Sequence, residues 1–315
     1  MSLCLVTGGA GFIGSHIVEF LLYNSYDVIV VDNLSTGRIE NIKDLIGKRC
    51  KFIRANIANK SQLAGIMKNV RIVFHQAAIP SVAKSVKNPL ATYKANVIGT
   101  LNVLHEAKKA NVEKVIYASS SSIYGPNSKL PVEEDLIPNP ISPYAASKLA
   151  GEHICRVYKL IHGLNVVCLR YFNVFGPRQN PFSQYAAVIP KFITRILQNK
   201  SPVIYGDGKQ SRDFTYVYNV VKANMLAAKI DTGNELVFNI ASSKPVSINE
   251  LVDKINSFLG TDIKPIYTKE RLGDIKHSYA SIKKAQKILA YNIEVPFESG
   301  LEQTIKYYQK CNAVR

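Results

Sequence analysis

Residues 3–14 read Leu3-Cys4-Leu5-Val6-Thr7-Gly8-Gly9-Ala10-Gly11-Phe12-Ile13-Gly14. Leu3–Thr7 is a short apolar run of strand type, and from about Ser15 to Tyr23 apolar residues return at helical spacing. Glycines between a strand and a helix let the backbone turn tightly and approach a pyrophosphate, whose charge meets N–H groups at the helix start. The next apolar run, Val28–Val31, ends in Asp32, eighteen residues after Gly14. A carboxylate there accepts hydrogen bonds from both hydroxyls of an adenosine ribose and repels a 2′-phosphate, which favours NAD over NADP.

Working outward, short β-branched runs alternate with amphipathic stretches. Strands are predicted at Leu3–Thr7, Val28–Val31, Lys51–Arg54, Ile72–His75, Val115–Ala118 and Val166–Leu169, and helices at Ser15–Tyr23, Leu90–Ala110 and Pro143–Ile161. That alternation implies an α/β fold, a Rossmann-type doubly wound parallel sheet with ligands beyond the carboxyl ends of its strands. After Gly176 the rhythm is broken by Pro177, Pro181, Pro190 and Pro202. We expect an NAD-binding domain over 1–176 and a smaller α/β substrate domain over 177–315, with part of the chain (about 212–240) returning to the first.

Composition narrows the class. The chain has 315 residues, 47% of them hydrophobic, enough for one large domain or two packed ones. No segment approaches the run of about 20 apolar residues that a membrane helix needs. The opening residues lack the features of a signal peptide and are expected to be structure. Five scattered cysteines (Cys4, Cys50, Cys155, Cys168, Cys311) with no CxxC spacing imply a reduced cytoplasmic protein with neither a disulfide framework nor a metal site. The net charge of +17 is spread along the chain rather than gathered in a block, so solvated lysines are expected instead of a nucleic-acid surface.

Tyr144-Ala-Ala-Ser-Lys148 puts a phenol and an ammonium four residues apart, on one face of a helix. A free tyrosine, with a pKa of about 10, is a poor base at neutral pH. A nearby cation and a positive nicotinamide ring favour the phenolate; lowering the pKa by roughly three units needs about 4 kcal/mol. Ser119-Ser120-Ser121-Ser122 follows the strand Val115–Ala118, where polar residues point into the ligand crevice.

The glycine spacing, followed by Asp32-Asn33-Leu34-Ser35-Thr36-Gly37, resembles the extended short-chain dehydrogenase/reductase superfamily. The resemblance implies that Gly8, Gly11, Phe12, Ile13, Gly14, Asn33, Ser35, Thr36 and Gly37 hold the dinucleotide. It adds Asn56 and Ile57 beside the adenine, with Asn where the family has Asp, and Gln76, Ala77, Ala78 and Asn96 along the cofactor. It makes Ser120 the hydroxyl that bridges the sugar oxygen and Tyr144. Nucleotide-sugar dehydratases of the superfamily carry Asp-Glu where this chain has Ser121 and Ser122, so dehydration is disfavoured and oxidation with return of the hydride to the other face remains.

Arg170–Pro177 is similar to the segment that lines the nicotinamide, which implies a cofactor contact for Tyr171 and a substrate contact for Asn173. Gln179–Phe192 looks like the uridine-binding stretch of UDP-hexose epimerases, with Ala187 and Val188 at the nucleotide. Tyr205, Gln210, Arg212, Arg271 and Asp274 match further substrate positions, and two arginines suit a diphosphate. Across the whole chain the resemblance is to UDP-glucose and UDP-N-acetylglucosamine 4-epimerases. Ser278 stands where a tyrosine excludes N-acetylated sugars, and Pro80-Ser81-Val82 replaces a lysine-bearing loop. Ser81 and Val82 become sugar contacts, and UDP-GlcNAc/UDP-GalNAc the expected substrates, with UDP-Glc/UDP-Gal also accepted. Family members form homodimers through a four-helix bundle. The competing readings are a UDP-glucose-only or UDP-glucuronate 4-epimerase, a decarboxylase or dehydratase of the superfamily, and a non-catalytic NAD-binding or basic nucleic-acid-binding protein.

Overall fold

A computed structural model describes residues 2–126, 129–181, 187–270 and 276–313. In its first half the chain runs β1 (Leu3–Thr7), α1 (Phe12–Tyr23), β2 (Asp27–Asp32), β3 (Cys50–Arg54), α2 (Lys60–Leu63), β4 (Ile72–His75), α3 (Val82–Lys87), α4 (Pro89–Tyr93), α5 (Gly99–Lys109), β5 (Lys114–Ser120), α6 (Pro143–His162) and β6 (Val166–Tyr171). It continues through β7 (Val174–Phe175), α7 (Val188–Leu197), β8 (Val203–Tyr205), β9 (Ser211–Asp213), β10 (Thr215–Tyr216), α8 (Val217–Lys229) and β11 (Val237–Ile240). The last elements are β12 (Pro245–Ser247), α9 (Ile248–Leu259), β13 (Ile266–Thr268), β14 (His277–Ser278), α10 (Lys283–Leu289) and α11 (Phe297–Ala313).

Seven parallel strands form the main sheet in the order β11-β6-β5-β4-β1-β2-β3. The strands read as unbroken apolar runs because both faces are covered. Ile17, Val18 and Leu21 of α1 pack with Val220, Val221 and Met225 of α8 on one side. Val103, Leu104 and Ala107 of α5 pack with Cys155 and Tyr158 of α6 on the other. Strand order reverses between β1 and β4, and at such a switch point the flanking crossovers part to leave a crevice.

The second layer is built around Phe175, Ile189, Phe192, Ile193, Leu251, Ile255, Phe297 and Leu301, contributed chiefly by α7, α9 and α11. Beyond residue 176 the chain re-enters the main sheet as β11, beside β6, with α8 against α1. It returns once more through Ala280, Ile282, Ala285, Leu289 and Tyr291, a crossing that no periodicity in the sequence marks. The helix expected over Leu90–Ala110 is interrupted by one wide turn of π type at Lys94–Ile98, where an extra residue shifts the register of the inward face.

Candidate active site

A cleft of about 920 Å³ opens where β1, β2, β4, β5 and β6 end. Gly8, Gly11, Phe12, Ile13 and Gly14 line it at the start of α1. Gly8 turns with φ +68°, and a Cβ there would stand 2.7 Å from the Ala77 backbone, so only bare backbone fits. The Asp32 carboxylate accepts from the N–H of Ala10 at 3.1 Å and of Leu34 at 2.8 Å, binding the glycine turn to the end of β2. Burial pushes its pKa up, and the backbone hydrogen bonds oppose that. Asn33, Ser35, Thr36, Asn56 and Ile57 line the same end, and Asn56 Oδ1 accepts from the Ala58 N–H at 3.0 Å. Gly37 lies behind this wall, where a Cβ would meet the Asp32 carboxylate at 2.8 Å. A bare backbone cradle at a helix start, with one acid beside it, fits a dinucleotide.

Gln76, Ala77 and Ala78 form the middle of the cleft. Behind them lies a directional chain of hydrogen bonds. Thr100 Oγ1 donates to the Asn96 carbonyl at 2.6 Å, so it accepts from His75 Nε2 at 2.9 Å. His75 Nδ1 must then accept from Thr7 Oγ1 at 2.7 Å, and Thr7 Oγ1 accepts from the Ala77 N–H at 3.3 Å. The network thus assigns His75 as the neutral Nε2–H tautomer, and burial, reinforced by Lys148, holds its pKa down at about 3. Asn96 is not part of the wall. The π turn sends it inward, where Oδ1 accepts from the Ile79 N–H at 2.8 Å and Nδ2 donates to Ser147 Oγ at 2.9 Å, and Ala95 faces the cleft instead.

Tyr144 and Lys148 stand one turn apart on α6, facing Ser120 at the end of β5. Two serines fix the start of that helix. Ser142 Oγ accepts from the Ala145 N–H at 3.1 Å, and Ser85 Oγ accepts from the Tyr144 N–H at 3.0 Å while donating to the Val82 carbonyl at 2.6 Å. Ser120 Oγ accepts from the Ser122 N–H at 3.2 Å and lies 2.9 Å from Ser122 Oγ. The Lys148 ammonium donates to the Ala118 carbonyl at 2.7 Å, and burial pushes its pKa down to about 8. Burial raises the Tyr144 phenol, and the Ser120 hydrogen bond opposes it.

Below this centre, Ser119 Oγ donates to Glu152 Oε1 at 2.5 Å, and Arg170 grips Glu152 at 2.9 and 2.8 Å. Arg170 also donates to the Tyr124 hydroxyl at 2.7 Å, which donates to Asn239 Oδ1 at 2.7 Å. Every charge in this pair is hydrogen-bonded, the condition for holding ions in an interior.

Tyr171 lines the cleft with its hydroxyl bonded to Asn224 of α8, a partner no sequence motif announced. Ser81, Val82, Ser121, Ser122 and Asn173 complete the wall near Tyr144. Asn173 and Ala187 also border a second cavity of about 260 Å³, with Val188, Tyr205, Gln210 and Arg212. Gln210 Nε2 donates to the Tyr205 carbonyl at 2.7 Å, which aims this side chain along β8. Lys191 and Phe192 of α7 line the cavity as well and were not singled out from sequence, although their helical spacing from Val188 was visible there. Ser278 pairs with Arg212 across β14 and β9 and lines neither cavity. Arg271 and Asp274 lie outside the described residues.

Residues 4–241 match the model of the NAD dependent epimerase/dehydratase family. The chain belongs to this family. A relative from Methanocaldococcus jannaschii, named a putative UDP-glucose 4-epimerase, is 43% identical over 98% of this chain and 99% of its own. The solved UDP-N-acetylglucosamine 4-epimerase of Methanobrevibacter ruminantium M1, in complex with UDP-N-acetylmuramic acid, superposes with a TM-score of 0.95 at 43% identity, covering 98% of this chain and 99% of that one. The UDP-glucuronic acid 4-epimerase of Bacillus cereus, with UDP-glucuronic acid and NAD, reaches 0.90 at 35% identity and the same coverage. The Rossmann-type sheet and NAD as cofactor agree with membership of the family.

Proposed function

We propose that this protein interconverts UDP-GlcNAc and UDP-GalNAc, and accepts UDP-Glc and UDP-Gal, by NAD-dependent inversion at carbon 4. At the coarser level it is a UDP-sugar 4-epimerase and hence an isomerase, the class of its named relatives. The observation that carries the reading is the convergence of Ser120, Tyr144 and Lys148 on a dinucleotide-sized cleft that shares Asn173 and Ala187 with the second cavity. One ligand thereby spans both, its sugar at Tyr144 and its nucleotide at Gln210 and Arg212.

NAD, held at the glycine turn and Asp32, would supply reversible hydride transfer. The rest is the work of side chains. Tyr144 removes the proton from the 4-hydroxyl, and Ser120 orients that oxygen. Lys148, fixed to Ala118, keeps a positive charge near the developing phenolate. Arg212 and Arg271 hold the diphosphate while the keto-sugar turns over, and Tyr144 gives its proton back to the 4-oxygen as carbon 4 is reduced on its other face. The Pro80-Ser81-Val82 loop in the cleft wall supports the N-acetylated sugars. A cytoplasmic setting is supported by the free thiols Cys4, Cys50, Cys155, Cys168 and Cys311. No helix among the described residues is long and apolar enough to cross a membrane.

Incubation of purified protein with UDP-GlcNAc or UDP-Gal, without added NAD and then with it, tests the reading. Appearance of the 4-epimers supports it, and the ratio of the two rates reports on the sugar preference. No conversion of either sugar, even with NAD supplied, overturns it.

A further inference from the structure

Gly151 lies in the middle of α6, where a glycine weakens a helix. A Cβ there would meet the Tyr117 hydroxyl at 2.1 Å and its ring carbon Cζ at 2.6 Å, so the missing side chain is the room that Tyr117 of β5 occupies. Tyr117 is buried, and its hydroxyl donates to the Lys148 carbonyl at 3.4 Å. The Lys148 ammonium stands over the Tyr117 ring, 5.0 Å from its centre. The same ring packs against the His75 imidazole, with centroids 5.6 Å apart and the planes tilted by 45°. An ammonium over an aromatic face at such a distance is attracted by the electron-rich π system.

Lys148 needs such support. Burial strips water from an ammonium that has three protons to place. One goes to the Ala118 carbonyl at 2.7 Å. The carboxylate one turn on, Glu152, is taken at both oxygens, by Ser119 and by the Arg170 fork. The other titratable or charged groups around Lys148 are Tyr144 and Cys155 on α6, His75 on β4, and Cys168 and Arg170 on β6, and none is a carboxylate. The ring face of Tyr117 is therefore the ligand that stands beside the Ala118 carbonyl in holding this cation.

We infer that Tyr117 is a positioning residue for the reaction: its ring carries the Lys148 ammonium and keeps it charged in a dry site, and Gly151 is the small residue that admits the ring. This rests on the reading above, in which Lys148 keeps a positive charge near the Tyr144 phenolate, and it deepens that reading. Tyr117 does not line the cleft, so its action runs through Lys148.

The test changes the π face and leaves the shape alone. Tyr117→Phe, and phenylalanines bearing one, two and three ring fluorines at position 117, form a series of nearly constant volume and falling electron density. The protein is isotope-labelled at its lysine ε carbons, and the Lys148 signal is identified by its absence from Lys148→Arg. Its titration midpoint is then followed by NMR in each member of the series. A weaker π face favours the ammonium less, so the midpoint falls. Tyr117→Phe should stay near wild type, and three fluorines should lower the midpoint by about one pH unit, with the others between. Activity that needs the ammonium is lost as pH rises through this midpoint, so the alkaline limb of kcat for UDP-Gal should move down in parallel at unchanged KM. A ring that only fills space would leave midpoint and limb where they are across the series, and that result overturns the assignment. If the midpoint falls but wild type converts neither UDP-Gal nor UDP-GlcNAc, the epimerase reading is lost and the support of Lys148 by Tyr117 stands.

Discussion

Single residues divide into those whose type announces their chemistry and those whose role depends on where the backbone carries them. Tyr144 and Lys148 belong to the first kind, since a phenol and an ammonium at helical spacing are legible in sequence. We expect Tyr144→Phe to lower epimerisation by about 10²–10⁴-fold while NAD stays bound, measured by turnover and by cofactor absorbance on the same sample. Substantial retained turnover would remove Tyr144 from its role. His75 belongs to the second kind. Nothing in Ile72–His75 marks a histidine as the centre of a relay, because its partners Thr7 and Thr100 come from a different strand and a helix. Thr100→Val, which keeps the shape and deletes the hydroxyl, should leave the His75 N–H unpaired at a cost of about 1–3 kcal/mol. It should also loosen NAD, seen as cofactor lost on gel filtration, with Thr100→Ser restoring both. Unchanged stability would mean that the hydroxyl is not holding that ring.

At the scale of elements, the six strands expected from periodicity up to Leu169 are present, whereas none of the shorter strands and helices beyond Gly176 was assigned, because the prolines there break the rhythm. Asn96 was assigned to the cofactor on the family resemblance alone; the π turn at Lys94–Ile98 carries it inward onto Ile79 and Ser147, while Ala95 lines the cleft. Strand β9 shows how one element is held. The buried Asp213 accepts N–H groups of Ser242 at 2.8 Å, Ser243 at 3.0 Å and Ala280 at 3.2 Å, fastening the strand that presents Arg212. Burial nevertheless raises its pKa from 3.8 to about 6. A carboxyl that binds its proton more tightly when folded contributes stability that is complete below its unfolded pKa and lost as pH rises through the folded one. The stability advantage of wild type over Asp213→Asn should therefore shrink between pH about 4 and about 6 in denaturant titrations. An advantage that grows over that range would mean that the fold lowers the Asp213 pKa instead of raising it.

At the scale of the whole molecule, the outer side of α4 and α6 leaves apolar side chains in solvent, with Leu90 81%, Leu160 69% and Ile161 73% exposed. Large apolar side chains left in solvent suit an interface between copies of the chain. We expect a homodimer through this face, and Leu160→Glu with Ile161→Glu should yield monomers in sedimentation equilibrium; a monomeric wild type would refute the assignment. The broad charge itself was readable from composition, whereas the face was not, since the same apolar residues could have turned toward the sheet. The seating of β11 beside β6 has a consequence of another sort, in time rather than in space. A ribosome making this protein releases the first six strands of the sheet long before Val237–Ile240 emerges. Until then Val166–Tyr171, buried at every position in the finished fold, is a bare margin ready to pair with any extended neighbour. A fragment ending at Gly176 should consequently precipitate on expression, while adding residues 237–240 in trans as a peptide should keep part of it in solution. Synthesis of this enzyme thus carries a stretch of vulnerability that ends only when the last strand of the main sheet arrives.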